Sequence, residues 1–202
     1  MATGLRFGPI GEQSAHVCVD MQGLFRGGSP WAMAWFDRVM PNVRALVSHA
    51  PARTFFTRFI PPNEPLEAGG AWSRYYSKWP EMTLERLDRK LVDVVPELAA
   101  YAPPAKMIDK YVYSPWFSGE LVASLKNSRI NTLIISGGET DVCVLATVMG
   151  AIDIGYRVVI VTDAVCSSSD PAHDAMQLFY GQRLSQQVET AETEEILGSW
   201  RI

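Results

Sequence analysis

The sequence predicts an α/β protein, a three-layer αβα sandwich built on a mostly parallel, doubly wound sheet. Three observations carry that prediction. Runs at 15–19, 54–57, 132–136 and 158–161 are near-continuously apolar or β-branched, the pattern of strands buried on both faces of a parallel sheet. Helix-length segments separate them, and strands alternating with helices imply right-handed crossovers that cover both faces. Finally, 202 residues, 48% apolar and 20% charged, suffice for one domain with a substantial core, read as spanning 1–202.

After the first strand, residues 32–49 place Met33, Phe36, Val39, Met40, Val43, Leu46 and Val47 close to a helical stripe. Pro41 is expected to start a turn there or to kink the helix. Residues 59–104 are the exception to the alternation. They hold Pro61, Pro62, Pro65, Gly69, Gly70, Trp72, Tyr75, Tyr76, Trp79 and Pro80 with weak periodicity. An excursion of that length serves as a lid or binding loop, or as an irregular aromatic flap over a sheet edge, and both readings stand. A fifth apolar run, 107–111, ends a strand near Lys110. Helices are expected over 118–127, 141–154 and 170–186.

Charge and cysteine usage narrow the function classes. Eighteen Lys and Arg against 22 Asp and Glu leave a net charge of −4, which offers no attraction to nucleic acid or an anionic membrane. No apolar stretch approaches the roughly 18 residues of a membrane span, and residues 1–13 lack the pattern of a secretory signal. Three cysteines are too few and too odd in number for a disulfide framework. A reducing, cytoplasmic setting with at least one free thiol is therefore expected.

In open α/β sheets the ligand crevice lies beyond the carboxyl ends of the strands. Asp20 and Gln22 follow the first strand, Arg58 the second, and 137–143 the third long one; 163–169 follow the last. The segment Ile135-Ser136-Gly137-Gly138-Glu139-Thr140-Asp141-Val142-Cys143 runs from a buried strand through two glycines into a helix. Thr140 is the expected N-cap, which puts Cys143 in the first turn. There the helix dipole and free N–H groups favour a thiolate and an oxyanion. Cys143 is read as a nucleophile or as a small apolar core residue, with the pattern favouring the first. A thiol nucleophile needs a base and a balancing charge. Asp20, Lys110 and the histidines are candidates, and a Cys143–His173 pair stays open. Cys18 reads as core and Cys166 as structural. A Gly-x-Gly-x-x-Gly phosphate fingerprint is missing from the Gly137-Gly138 turn. A catalytically silent module that binds a ligand through the flap is the alternative from another class.

Taken together, these residues resemble the isochorismatase-like cysteine hydrolases, the superfamily that includes nicotinamidases and N-carbamoylsarcosine amidohydrolases. The resemblance covers most of the chain. It rests on Asp20-Met21-Gln22-x-x-Phe25, on Asp109-Lys110-x-x-Tyr113-Ser114, and on Gly138-Glu139-Thr140-Asp141-Val142-Cys143-Val144-x-x-Thr147, continued by Ala151-x-x-x-Gly155-Tyr156 and Thr162-Asp163-Ala164. It implies a catalytic triad of Asp20, Lys110 and Cys143. It also implies a cis peptide in the Gly-Gly-Glu stretch and an oxyanion hole from the N–H groups of Glu139 and Cys143. Substrate positions are implied at Gln22, Phe25, Arg58, Trp72, Tyr76 and Trp116, with a homo-oligomer (dimer or tetramer) and no cofactor. The nicotinamidase metal motif, Asp-x-His…His, has no counterpart in Thr57-Arg58-Phe59-Ile60-Pro61-Pro62, so no metal is expected. The siderophore-pathway isochorismatases lack the cysteine, so its presence implies hydrolysis of a small-molecule amide, imide or ureide through a thioester; vinyl-ether hydrolysis is the runner-up.

Overall fold

A computed structural model describes residues 4–202. The chain runs β1 (Ser14–Val19), α1 (Phe36–His49), β2 (Thr54–Phe59), α2 (Ala71–Lys78), α3 (Pro96–Ala99), β3 (Lys106–Lys110), α4 (Glu120–Asn127), β4 (Thr132–Gly138), α5 (Cys143–Ile154), β5 (Arg157–Cys166), α6 (Asp170–Leu178), β6 (Val188–Ala191) and α7 (Thr193–Ser199). The six strands form one sheet in the order β3-β2-β1-β4-β5-β6, and every pairing is parallel.

Burial explains the apolar runs. Every residue of β1 and β4 is buried, because helices cover both faces. Val43, Leu46 and Val47 of α1 pack on one face with Ile196 of α7 and Leu98 of α3. Leu121 and Leu125 of α4 and Val144, Val148 and Ala151 of α5 pack on the other. The strand order reverses between β1 and β4, so the chain leaves these two paired strands toward opposite faces of the sheet, and a crevice lies beyond their carboxyl ends.

Several boundaries differ from the expectation, each for a local reason. α1 begins at Phe36 and continues through Pro41. The ring of Pro41 is on the exposed side, where the carbonyl it leaves without a donor can be solvated. The expected helix over 170–186 ends at Leu178 and passes through a single π turn, Phe179–Arg183. β6 follows it; only four residues long and carrying Glu189, it lacks the apolar run that marks the others. The buried Glu189 carboxylate is matched by Arg157 (Nε to Oε2, 2.7 Å) and by the Phe7 N–H (2.9 Å to Oε1). The flap is more regular than expected, containing α2 and α3, and Trp72, Tyr75, Trp79, Leu84 and Leu87 pack against the α1-side core.

Candidate active site

Three strand ends place the site. Asp20 follows β1 with a φ of 50°, in the left-handed region. That turn sends its side chain back across β2, where the Thr57 hydroxyl accepts from the Asp20 N–H (3.1 Å) and donates to Asp20 Oδ1 (2.5 Å). Lys110, the last residue of β3, reaches over the Phe59 ring (4.9 Å to the centroid). Its Nζ lies 2.8 Å from Asp20 Oδ2 and 3.4 Å from Cys143 Sγ, and it donates to the Val112 carbonyl at 3.2 Å. The lysine thus links the carboxylate to the sulfur, with all three side chains buried.

Cys143 is positioned by the β4–α5 turn. Gly137 has a φ of 100°, and a Cβ there would be driven into the Val19 carbonyl, so only glycine lets β4 pass this close to β1. The Gly138–Glu139 peptide is cis. α5 then starts at Cys143 itself, two residues later than expected, and its N-cap Val142 makes no side-chain cap. Thr140 is not the cap: its hydroxyl donates to the Cys166 carbonyl at 3.0 Å, and it lies 2.9 Å from His173 Nδ1. The Val142 and Val144 amides both donate to the Glu139 carbonyl. Among the described residues the N–H groups of Glu139, in the turn, and Cys143, at the helix start, have no protein acceptor; the first turn of a helix leaves the latter free.

Opposing influences act on the Cys143 sulfur. Burial pushes the Cys143 thiol well above its ordinary value; the Lys110 charge pulls it down, and Asp20 adds to the rise. Burial alone would lower Lys110, but Asp20 and Cys143 outweigh it, and the ammonium is held more firmly than usual. The arrangement is a buried thiol, disfavoured as a thiolate by its burial and favoured as one by Lys110, beside a carboxylate–ammonium pair.

Not all the expected substrate positions reach the site. Phe25 is buried and stacked on Trp31. Gln22 is a brace: its amide donates to the carbonyls of Phe59 (3.0 Å) and Val92 (2.6 Å) and accepts from the Phe59 N–H (2.7 Å). Arg58 forms a bidentate pair with Asp109 (2.7 and 3.0 Å) and a contact with Asp93 (2.9 Å). Trp116 packs on Gly150 and donates to the Thr147 carbonyl at 2.9 Å. These three have their polar atoms engaged by protein. Trp72 and Tyr76, in contrast, line a cavity of about 430 Å³ that runs past Pro61, Pro62, Tyr111 and Val112. Cys143 is not in its wall, but Val112 joins the cavity to Lys110. His173 meets Thr140 and, at 3.4 Å, Gln177; among the described residues neither ring nitrogen is bonded to the Cys143 sulfur. Thr57 and Val112 were missed. Thr57 gains its role from lying in β2 next to Asp20, and Val112 from a backbone carbonyl just past β3 that accepts from Lys110. No group of three His, Cys, Asp or Glu among the described residues gathers as a metal site requires.

A doubly wound parallel sheet with a buried thiol, carboxylate and ammonium gathered at its switch point defines the class of protein. The isochorismatase domain family matches residues 14–192, and the chain belongs to that family. Its relatives include the N-carbamoylsarcosine amidase of Arthrobacter, 28% identical over 163 residues, covering 77% of this chain and 60% of that protein. The ureidoacrylate amidohydrolase RutB of Cronobacter sakazakii is 28% identical over 198 residues, covering 87% and 83%. A crystal structure of a cysteine hydrolase from Pseudomonas syringae pv. phaseolicola shares the fold with a TM-score of 0.82 at 22% identity, covering 98% of each chain. The family and these relatives are hydrolases, amidases acting on C–N bonds among them.

Proposed function

We propose that this protein is a cysteine-dependent hydrolase of a small-molecule C–N bond in an amide, imide or ureide. One observation carries the reading: Lys110 Nζ stands 3.4 Å from Cys143 Sγ and 2.8 Å from Asp20 Oδ2 in a buried site. A carboxylate and a cation converging on a thiol are what nucleophilic attack by sulfur requires. The amidase names of the relatives support the bond type.

In the first half-reaction the Cys143 proton passes to Asp20 as sulfur bonds to the substrate carbonyl carbon. Lys110 offsets the negative charge on the sulfur as it forms. The carbonyl π pair becomes an oxyanion, held by the N–H groups of Glu139 and Cys143; one such donor contributes about 3 kcal/mol to lowering the barrier. The C–N bond then breaks, and nitrogen leaves with the proton from Asp20. In the second half, Asp20 takes a proton from water, whose oxygen bonds to the thioester carbon. The C–S bond breaks and the proton returns to sulfur. One carboxylate serves as base and acid in turn. Burial opposes a free thiolate at Cys143, so in this scheme the proton moves to Asp20 as sulfur attacks.

Intact-protein mass spectrometry after incubation with a panel of amides, ureides and cyclic imides tests the scheme. An adduct of acyl mass, mapped to Cys143 and lost in Cys143→Ala along with all turnover, is the expected result. Hydrolysis that survives in Cys143→Ala, with the variant's thermal unfolding unchanged, would sink it.

A further inference from the structure

The β4–α5 turn is tied to the end of β5 residue by residue. Glu139 Oε1 accepts from the Ser168 hydroxyl, and from the Ser168 N–H at 3.3 Å. The Thr140 N–H and hydroxyl both donate to the Cys166 carbonyl, at 2.9 and 3.0 Å. Asp141 Oδ1 accepts from the Ser167 hydroxyl at 2.5 Å. Behind this contact Thr140 is fully buried, and two residues from further along the chain reach it. His173 Nδ1, on α6, lies 2.9 Å from its hydroxyl, and the Tyr180 hydroxyl donates to its carbonyl at 2.7 Å.

The Thr140 hydroxyl assigns the tautomer of His173. Its single hydrogen is spent on the Cys166 carbonyl, so toward Nδ1 it can only accept. Nδ1 therefore carries hydrogen, and Nε2 is left to accept from the Gln177 amide at 3.4 Å. The Thr140 carbonyl has a different need. In a regular helix the Val144 N–H would reach back to it, but that N–H donates to Glu139 instead. A buried acceptor left unmet costs about 1–3 kcal/mol. Tyr180 meets this one from the π turn, where the Leu184 N–H donates five residues back to the Phe179 carbonyl at 3.1 Å. Such turns gather at functional sites. A phenylalanine would serve the packing of this fully buried ring equally well; the hydroxyl serves Thr140.

Resting on the hydrolase reading above, we propose that Tyr180 and His173 are positioning residues for the oxyanion hole, acting through Thr140. The two peptide planes of Thr140 lie on the path from one oxyanion donor, the Glu139 N–H, to the other, the Cys143 N–H. The Thr140 N–H on Cys166 fixes the first plane, and the Thr140 carbonyl on Tyr180 fixes the second. The His173 bond keeps the Thr140 side chain from turning. The two donors, which have no protein acceptor among the described residues, are thereby aimed before a carbonyl arrives. Tyr180 is fully buried and both nitrogens of His173 are engaged, so neither residue acts as an acid or base.

Two reagents that meet the same sulfur separate this role from plain packing. With p-nitrophenyl acetate, sulfur bonds to the carbonyl carbon through an oxyanion, the C–O bond breaks and p-nitrophenolate leaves. With iodoacetamide, sulfur bonds to a methylene carbon, iodide leaves, and no oxyanion forms. In both the thiol proton passes to Asp20. In the full-length chain, Tyr180→Phe should slow acylation of Cys143 roughly tenfold, read as nitrophenolate release above that of Cys143→Ala. Its alkylation by iodoacetamide should stay within about twofold of wild type, since no oxyanion needs holding. His173→Ala should slow acylation selectively in the same way, and His173→Asn, whose amide N–H can stand where Nδ1–H stood, should restore most of the rate. Slowing of both reagents alike in Tyr180→Phe, or of neither, overturns the proposal, as does a His173→Asn no faster than His173→Ala. Should Tyr180→Phe fail to fold, the His173 pair decides alone. Wild-type protein that is alkylated but not acylated at Cys143 has no working oxyanion hole, which also overturns it. The hydrolase reading fails by a different sign, amide turnover that survives in Cys143→Ala.

Discussion

Thr57 holds Asp20 from two directions, accepting its backbone N–H at 3.1 Å and donating to its Oδ1 at 2.5 Å. Oδ2 is left to Lys110, which lies 2.8 Å from it. The hydroxyl therefore fixes both the unusual backbone turn at Asp20 and the direction in which its free oxygen points.

Thr57→Val keeps the shape and removes both bonds. The variant should lose about 1–3 kcal/mol of stability, the cost of stranding a buried acceptor. Its kcat/KM should fall by one to two orders of magnitude as the carboxylate loses its aim. Thr57→Ser should recover most of both. Denaturant unfolding and steady-state kinetics on the two variants measure this; equal losses in Val and Ser would show that packing of the methyl, rather than the hydroxyl, matters.

Ionisation of Cys143 gives a second prediction. Burial raises the thiol and Lys110 is the group that opposes the rise. Alkylation by iodoacetamide should therefore be slow at neutral pH and climb through pH 9 without levelling off. Lys110→Met removes the opposing charge, so alkylation at any fixed pH should become at least tenfold slower. Cys18 and Cys166 are buried and their thiols are also pushed up, Cys166 to about 12, so peptide mapping should assign the modified site to Cys143. A faster rate in Lys110→Met would reverse the sign of the lysine's role.

How much of this was legible in the sequence depended on how continuous each signal was. The central strands were readable because parallel pairing buries both faces and leaves long apolar runs at Val17, Ile134 and Val159. β6 was not, since four residues interrupted by Glu189 carry no period, and its charge is compensated by an arginine in β5 that only the fold brings near. Asp20 and Lys110 could be singled out because each stands at the end of such a run, and Cys143 because a Gly-Gly turn leads from the end of β4 to its helix. Gln22 follows β1, whereas Arg58, expected after the second strand, lies inside β2; the polar atoms of both are consumed by neighbours, the Phe59 and Val92 backbone in one case, Asp109 and Asp93 in the other. Position after a strand identifies a side chain near the crevice; only its hydrogen bonds say whether it is free to meet a ligand.

That distinction makes Gln22 a test. Gln22→Leu strands the Phe59 N–H and two carbonyls in a buried site, so stability should fall by about 2–4 kcal/mol. Ligand affinity in protein that remains folded should stay within a few-fold of wild type. A stable Gln22→Leu with a sharply raised KM would return the residue to the substrate pocket.

His16 predicts a pH dependence of folding. It is buried in β1, with Nε2 2.7 Å from Ser136 Oγ, and burial lowers its pKa to about 3. The unfolded chain binds a proton here near pH 6.5 and the folded chain does not until about 3. Between those values the unfolded state holds the extra proton, so stability rises with pH and is lost on acidification from about 6.5 toward 3. The slope from this one group approaches about 1.4 kcal/mol per pH unit. Replacing the imidazole in His16→Gln should remove that component from urea titrations at pH 4 to 7. An unchanged slope would assign the acid lability to other groups.

The last prediction separates two ways of activating the same sulfur. A Cys–His pair would need an imidazole nitrogen on Cys143, but His173 Nδ1 is 2.9 Å from Thr140 Oγ1, and its ring lies against Trp35 with centroids 5.4 Å apart. Burial lowers its pKa, which suits a neutral ring packed behind the β4–α5 turn. His173→Ala should therefore disturb that turn only indirectly, costing stability and no more than about tenfold in kcat. Asp20→Asn keeps the volume beside Thr57 and Lys110 but cannot take the thiol proton, so kcat should fall by about three orders of magnitude or more, within the range of acid–base groups, because the same carboxylate serves both half-reactions. Rates measured on both variants at matched folded fraction decide the matter. If His173→Ala proves the more damaging of the two, the proton goes to the imidazole and the role given to Asp20 is wrong.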